Sequence, residues 1–340
     1  MTTPAPFIPW STAWHQAHVG SAHLGSAHHQ GFYRRHSPER HFATEAQAGP
    51  LAEALAALIR EVDTRLGQPR PLTVVDIGAG AGELLTGILG HLDDEPIGRL
   101  EATGIDVRPR PDALDPRIEW VQGEAPEVVS TIWRNGVTGL IIAHEWLDDL
   151  PVDVVQRDDQ GTLREVLVDP ATGEELLGAE VSADGDAHDW MQQWWWPVRD
   201  RAEVGLHRDR AWARLCTSLN AGTAIAIDYS HLAPERDSGR FDAGTMTGFR
   251  DGQAVWPIPD ASMNITAHVA LDSCAAATDP PGRILDQVTA VRDLLGDIDP
   301  AIPDASTDPA GFAATIERVS ARHGLWERSA GVRWLRFDVS

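Results

Sequence analysis

The chain has 340 residues, 42% of them hydrophobic and 23% charged, the make-up of a soluble globular protein with length for one large domain or two small ones. Its formal net charge is -23 and every basic residue is arginine, which disfavours nucleic acid and anionic membranes as partners and removes pyridoxal and P-loop chemistry, both of which need lysine. No window approaches roughly 18 unbroken apolar residues, the amino terminus has no basic start or apolar core, and two cysteines, Cys216 and Cys274, build neither a disulfide framework nor a zinc site, so a cytoplasmic location is expected.

Residues 1–45 hold half of the 14 histidines: His15, His18, His23, His28, His29, His36 and His41. Their irregular spacing, with no Cys or carboxylate cluster, points to a polar arm over the domain and not to a metal site. "GPLAEALAALIREVDTRLG" then has the spacing of an amphipathic helix ending at Gly67. From Leu72 strands and helices alternate. "LTVVDIG" reads as strand one, "ELLTGILGHL" as a helix, "RLEATGIDV", "RIEWVQG" and "TGLIIAHEW" as strands two to four, "RDRAWARLCTSLNAG" as a helix, "GTAIAIDYS" as strand five and "VRWLRFDVS" as a closing strand. Such alternation implies an α/β fold with a doubly wound, mostly parallel sheet.

Two insertions interrupt it. Residues 151–200 carry "VDVVQRDDQGTLREVLVD", read as a hairpin turning at Asp159–Gly161, and then "WMQQWWWP". Trp194, Trp195 and Trp196 are expected to close a core more than to form a platform. Residues 230–280 are rich in loops. The expected organisation is an N-terminal arm and helix over residues 1–70 that covers the site, followed by a catalytic domain over residues 71–340.

"VVDIGAGAGELLTGIL" places Asp76 before Gly78, Gly80 and Gly82, at the carboxyl end of a strand and ahead of a helix. Ligands bind there in open parallel sheets, and glycines let the loop backbone approach them closely. The dinucleotide fingerprint wants a further glycine where Glu83 to Leu85 stand, and Glu83 would repel a pyrophosphate. A phosphate-free ligand such as S-adenosylmethionine fits better. Asp76 would accept from its ammonium, directly or through water, and Asp106 from its two ribose hydroxyls. Gly123 and Glu124 are further candidate contacts after strand three.

The glycine stretch resembles motif I of class I S-adenosylmethionine methyltransferases, which are Rossmann-like. The rest resembles their MidA family, which includes a mitochondrial complex I assembly arginine methyltransferase. "GFYRRHSPERHFATEAQAGPLAEALA" is similar to its N-terminal signature through Gly31, Tyr33, Phe42 and Thr44, and "AHEWLDDLPVDVVQ" to its Asn-Glu-x-x-Asp-Ala-Leu-Pro signature through Glu145, Asp148, Leu150 and Pro151. "AIDYS", "GTMTGFR" and "NITAHVALDS" follow in order. His41 replaces the usual Asp and His144 the usual Asn, "ATEAQAG" loses Thr-Ala-Pro-Glu, and Ala79 and Ala81 stand where Pro and Arg are frequent. The resemblance implies S-adenosylmethionine as cofactor and a protein arginine as acceptor, with a small-molecule acceptor, or a non-catalytic assembly role, as alternatives.

Methyl transfer is an in-line displacement, so the protein mainly orients its reactants, and a guanidinium acceptor also needs carboxylates. "HEWLDDLP" offers Glu145, Asp148 and Asp149 beside His144. "IDYSH" adds Asp228, Tyr229 and His231, and "NITAHV" adds Asn264, Thr266 and His268. Glu145, Asp148, Asp228 and His268 are the catalytic candidates. Asp149 is expected to be solvated. No metal is expected, and the oligomeric state is open.

Overall fold

A computed structural model describes residues 7–20, 31–35, 49–296 and 302–340. The chain divides into two compact units. One gathers residues 44–144, 215–227 and 283–340, the other residues 1–43, 145–214 and 228–282.

The first unit is mixed α/β, built on a large sheet. Its strands are β1 (Leu72–Ile77), β2 (Leu100–Asp106), β3 (Ile118–Gln122), β4 (Val137–His144), β5 (Leu219–His231), β6 (Arg283–Asp286) and β7 (Val332–Val339), in the order β6-β7-β5-β4-β1-β2-β3. Pairs β4–β5, β4–β1, β1–β2 and β2–β3 are parallel, and β6–β7 is antiparallel. All six residues of β1 are buried, as a central strand without polar–apolar alternation requires. Helix α1 (Gly49–Arg65) buries Leu51, Leu55, Leu58, Ile59 and Val62, one stripe at helical spacing. It packs on β4, on α2 (Glu83–Gly90) and on two later helices, Gln287–Leu295 and Pro309–Arg328. A buried bidentate pair, Arg99 with Asp63 at 2.8 and 2.7 Å, ties the start of β2 to the end of α1.

In the second unit an antiparallel sheet holds Asp153–Arg157, Leu163–Val168, Glu175–Glu180 and Arg201–Val204, with Ile8–Pro9 beside Leu163–Val168. The first two form the expected hairpin, with Val155 opposite Glu165. Asp158 closes the turn by accepting the Gln160 and Thr162 N–H groups. A three-stranded sheet, Thr247–Arg250 between Gln253–Val255 and Asn264–Thr266, fills the second loop-rich stretch. Trp10 and Trp14 of the helix Trp10–Val19 sit in a core with Val154, Val166 and Ile265. Trp195 is buried with Trp190, Val204 and Phe241, and Trp194 packs against the same core, whereas Trp196 is exposed. The expectation for the tryptophan triplet thus holds for Trp194 and Trp195 only.

Candidate functional site

In the first unit the candidate site is the loop between β1 and α2. Gly78, Gly80 and Gly82 have φ of +67, +62 and +81 degrees, backbone values that glycine adopts without a Cβ penalty. At Gly82 a Cβ would also collide with Leu114, so this glycine has a packing reason of its own. The loop amides are consumed internally. Ala79 N–H donates to Ile105 O, Gly80 N–H to Asp106 Oδ2, Ala81 N–H to Glu83 Oε2 and Gly82 N–H to Ala79 O. A pyrophosphate cradle needs such amides pointing at the ligand. Here they point at carboxylates and carbonyls.

Around the loop stand three acids. Burial, then the charges of Asp106 and Glu83, push the Asp76 carboxyl up to about 8. Asp106 accepts from the Arg108 N–H at 2.9 Å and Arg108 Nε at 3.2 Å as well as from Gly80. Three of a carboxylate's roughly four acceptor positions are therefore engaged, leaving room for one hydroxyl, not two. Beyond β3, the Gly123 N–H donates to Asp106 O and the Glu124 carbonyl accepts from Val128. A Cβ on Gly123 would crowd Val128 Cγ2 at 2.7 Å, so packing accounts for that glycine.

The remaining candidates belong to the second unit. Ile227 pairs with His144 at the parallel ends of β5 and β4, and the next residues are Asp228 and Glu145. Glu145 takes φ of +48 degrees, an uncommon backbone for glutamate. Asp228 is fully buried. Its Oδ2 accepts from Leu147 N–H at 2.9 Å and Asp148 N–H at 3.4 Å, while Oδ1 has no hydrogen-bond partner among the described residues. Burial pushes the Asp228 carboxyl up to about 8, and Glu145 adds to the rise while Arg208 opposes it. Asp148 is raised well above the ordinary carboxylate range by burial and by Asp228 and Asp149. The loop amides of Leu147 and Asp148 therefore account for one oxygen of Asp228.

Asp149 is not solvated as expected: it accepts from the Tyr33 hydroxyl and from Asn264 Nδ2 at 3.1 Å, and Tyr33 Oη lies 2.8 Å from Asn264 Oδ1. Nearby, Ala267 N–H donates to Asp148 O at 3.1 Å and His268 N–H to Thr245 Oγ1 at 2.8 Å. His268 is half-buried, with its ring stacked against Tyr229 and edge-on to Phe241. Burial holds the His144 imidazole down to about 4. His231 is held well below its ordinary value by burial and by Arg236, whose Nη1 meets its Nδ1 at 2.8 Å. The Thr266 side chain is half-buried.

Of the arm histidines, His15 and His18 are described. His18 is buried, accepts the Ile265 N–H at Nε2 (3.1 Å), and is held down to about 3 by burial and then by His15. His23, His28, His29, His36 and His41 lie outside the described residues, as do Phe42 and Thr44. Among the described residues no group of three or more His, Cys, Asp or Glu could hold a metal, and no helix is long and apolar enough to cross a membrane.

Sequence reasoning missed Arg208. This residue is 1% exposed and donates to the carbonyls of Asp148, Leu150, Ala267 and His268. The signal was present in its spacing, since Arg208, Ala211, Trp212 and Leu215 share one buried helical face.

Residues 51–280 match the model of Methyltransf_28, a family of S-adenosyl-L-methionine-dependent methyltransferases. No curated protein matches the chain. A COG1565 superfamily member from Burkholderia thailandensis, crystallised bound to S-adenosyl-homocysteine, is similar with a TM-score of 0.72 at 19% identity, over 98% of this chain and 88% of that one. A native structure of a COG1565 superfamily protein from the same organism has a TM-score of 0.68 at 20% identity, over 98% of this chain and 87% of that one. Likeness at this identity speaks for a mixed α/β fold with a large central sheet, consistent with class I methyltransferases. In the loop, the four amides from Ala79 to Gly82 are bonded to carboxylates and carbonyls of the protein and so do not form the cradle that a phosphate takes.

Proposed function

Since the chain belongs to a family of S-adenosyl-L-methionine-dependent methyltransferases, we propose that it methylates an arginine side chain of a protein, with Glu145, Asp148 and Asp228 as the acceptor-side carboxylates. One observation carries this reading. Residues of five separate sequence motifs join in one hydrogen-bonded group: Tyr33, Asp148 with Asp149, Asp228, Thr245, and Asn264 with His268. Three of these motif residues and Glu145 are carboxylic, and Arg208 is the cation set among them. A guanidinium needs such partners, because paired carboxylates hold its planar fork.

When bound, the cofactor supplies a methyl group on a positively charged sulfur. The chain's own work is to hold and deprotonate the acceptor. Glu145 and Asp148 bind the guanidinium. Asp228 takes a proton from the attacking nitrogen at Oδ1, leaving a lone pair to form the new nitrogen–carbon bond as the sulfur–carbon bond breaks. A carboxyl with a midpoint of about 8 is ionised in a minor fraction at neutral pH, and the charge of a bound guanidinium favours that form. His268, half-buried against Tyr229 and Phe241, lines the acceptor.

The finer placement is part of the same proposal. The motif group supports the MidA branch, a doubly wound sheet, insertions over about 151–200 and 230–280 that carry the acceptor side, and an arm over residues 1–70 that covers the site. Gly78, Gly80, Gly82, Asp76, Asp106, Gly123 and Glu124 are assigned to the cofactor, in a cytoplasmic enzyme with no nucleic-acid or membrane partner. The test is incubation of the protein with cofactor carrying a labelled methyl group and extract from cells lacking it. Label on arginine in a protein band is the expected result. Label confined to small molecules rejects the protein-arginine acceptor and leaves a small-molecule methyltransferase.

A further inference from the structure

Helix Leu206–Thr217 contributes a side chain that no motif marks. Arg208 donates from Nε to Leu150 O at 3.0 Å, from Nη1 to Ala267 O at 2.8 Å and His268 O at 3.1 Å, and from Nη2 to Asp148 O at 2.7 Å. The Trp14 ring covers it at 5.8 Å. All four acceptors are main-chain carbonyls from two segments far apart in sequence. The first of these, the turn after Glu145, is held from its other side by Asp228, which takes the Leu147 and Asp148 N–H groups. Asp228 thus grips the turn by its donors and the cationic Arg208 by its acceptors.

We propose that Arg208 is a positioning residue for the acceptor side: its fork holds the Asp148–Leu150 turn to the Ala267–His268 segment, and its charge faces Asp148 and Asp228. This rests on the reading of those two carboxyls as acceptor groups. A buried guanidinium would ordinarily take a carboxylate in a bidentate pair, as Arg99 does with Asp63. Arg208 instead spends its donors on main chain and leaves Oδ1 of Asp228 for another partner. The groups around it are Asp148, Asp228, Glu203 and the Cys274 thiol. Asp228 also feels Glu145, and Asp148 also feels Asp149. Arg208 lowers both acids against the burial that raises them, so it keeps them able to ionise while fixing where they stand. Lysine would retain the charge but has no planar fork to span four carbonyls.

The full chain, labelled with carbon-13 at the aspartate carboxyls, is titrated by NMR, with Asp228 assigned by Asp228→Asn. Amide exchange at Ala267 is followed in parallel, and neither readout needs a methyl acceptor. In Arg208→Gln the Asp228 midpoint is expected to rise by roughly one unit and exchange at Ala267 to quicken by about tenfold or more. In Arg208→Lys exchange quickens while the midpoint stays near that of the wild type. Either readout standing still in folded Arg208→Gln overturns the proposal. Should Arg208→Gln not fold, Arg208→Lys decides: faster exchange at an unmoved midpoint supports it, and any other result overturns it. Absence of arginine methylation in the extract assay, with these readouts as expected, fails the acceptor assignment and not the clamp.

Discussion

The Asp106 carboxylate accepts the Gly80 N–H at 2.9 Å, which makes the acid ending β2 and the centre of the glycine loop a single element. The loop is thus held from the neighbouring strand and presents its backbone preformed. Gly80→Ala introduces a side chain at φ of +62 degrees, a backbone cost of about 1–2 kcal/mol, and on the proposed cofactor assignment stands it where the ligand would approach. S-adenosyl-homocysteine affinity is expected to fall at least about tenfold in calorimetry, the factor that corresponds to 1.4 kcal/mol. Gly90→Ala, in α2 with nothing within 4 Å of the added carbon, is the control. It should leave affinity unchanged and raise stability by up to about 1 kcal/mol.

Asp76 carries a pH prediction whose sign follows from its raised midpoint of about 8. In the free protein at pH 7 this carboxyl holds its proton, whereas a cationic ligand favours the ionised form. Binding should therefore release a proton at pH 7, and affinity should climb as pH rises toward 8. Calorimetry in buffers of differing ionisation enthalpy reads that proton directly. Asp76→Asn should abolish the release. Folding obeys the same linkage: between the unfolded value of 3.8 and about 8 the folded state binds more protons, so this group's contribution to stability declines as pH rises across that window. The stability gap between Asp76→Asn and wild type should accordingly grow in favour of the variant from pH 5 to pH 8, as denaturant unfolding at both values will register.

Glu145 separates binding from backbone strain. Glu145→Gln removes the charge while keeping the shape, and methyl transfer is expected to fall by about a hundredfold or more, the scale of one preorganised electrostatic contact. Cofactor affinity should stay near that of the wild type. Glu145→Gly relaxes φ of +48 degrees at some cost in chain entropy, so its melting temperature should not drop by more than a few degrees. A glycine variant that melts early but retains activity would contradict both halves of this assignment.

The Asp63–Arg99 pair is the clearest stability test in the sheet unit. Asp63→Ala strips the buried guanidinium of its carboxylate, at an expected cost of about 3–5 kcal/mol. Replacing both partners, as in Asp63→Leu with Arg99→Met, should recover much of that loss, because the pair's desolvation disappears with its attraction. Chemical denaturation of the double variant beside the single changes Asp63→Leu and Arg99→Met decides it, and additivity of those two single changes would contradict the pairing.

The strand before the glycine loop was legible because Leu72–Ile77, buried throughout, is mostly apolar and carries Val74, Val75 and Ile77 without polar–apolar alternation. β6 was not. Arg283–Asp286 has four residues, charged at both ends, and its pairing with β7 supplies what its composition lacks. Asp76 and Asp106 were legible by position, at the ends of their strands. Asp149 was misread because a carboxylate in a loop ordinarily faces water, and its partners Tyr33 and Asn264 lie 116 and 115 residues away in sequence. Arg208 shows the opposite error. Its helical face marked it as buried, but a hydrophobic tally passes over an arginine that satisfies its donors on main-chain carbonyls.

The chain crosses from one compact unit to the other after residues 43, 144, 214, 227 and 282. Neither unit is a continuous stretch, so neither is complete until its last segment, residues 228–282 or 283–340, has been made. β4 must wait for β5 across an intervening segment of the other unit, and β7 closes the sheet only when residues 332–339 have emerged. Loop closure over such separations has to be met before the pairing rewards it. Cutting the chain at any of these crossings therefore leaves two fragments that each lack part of a core.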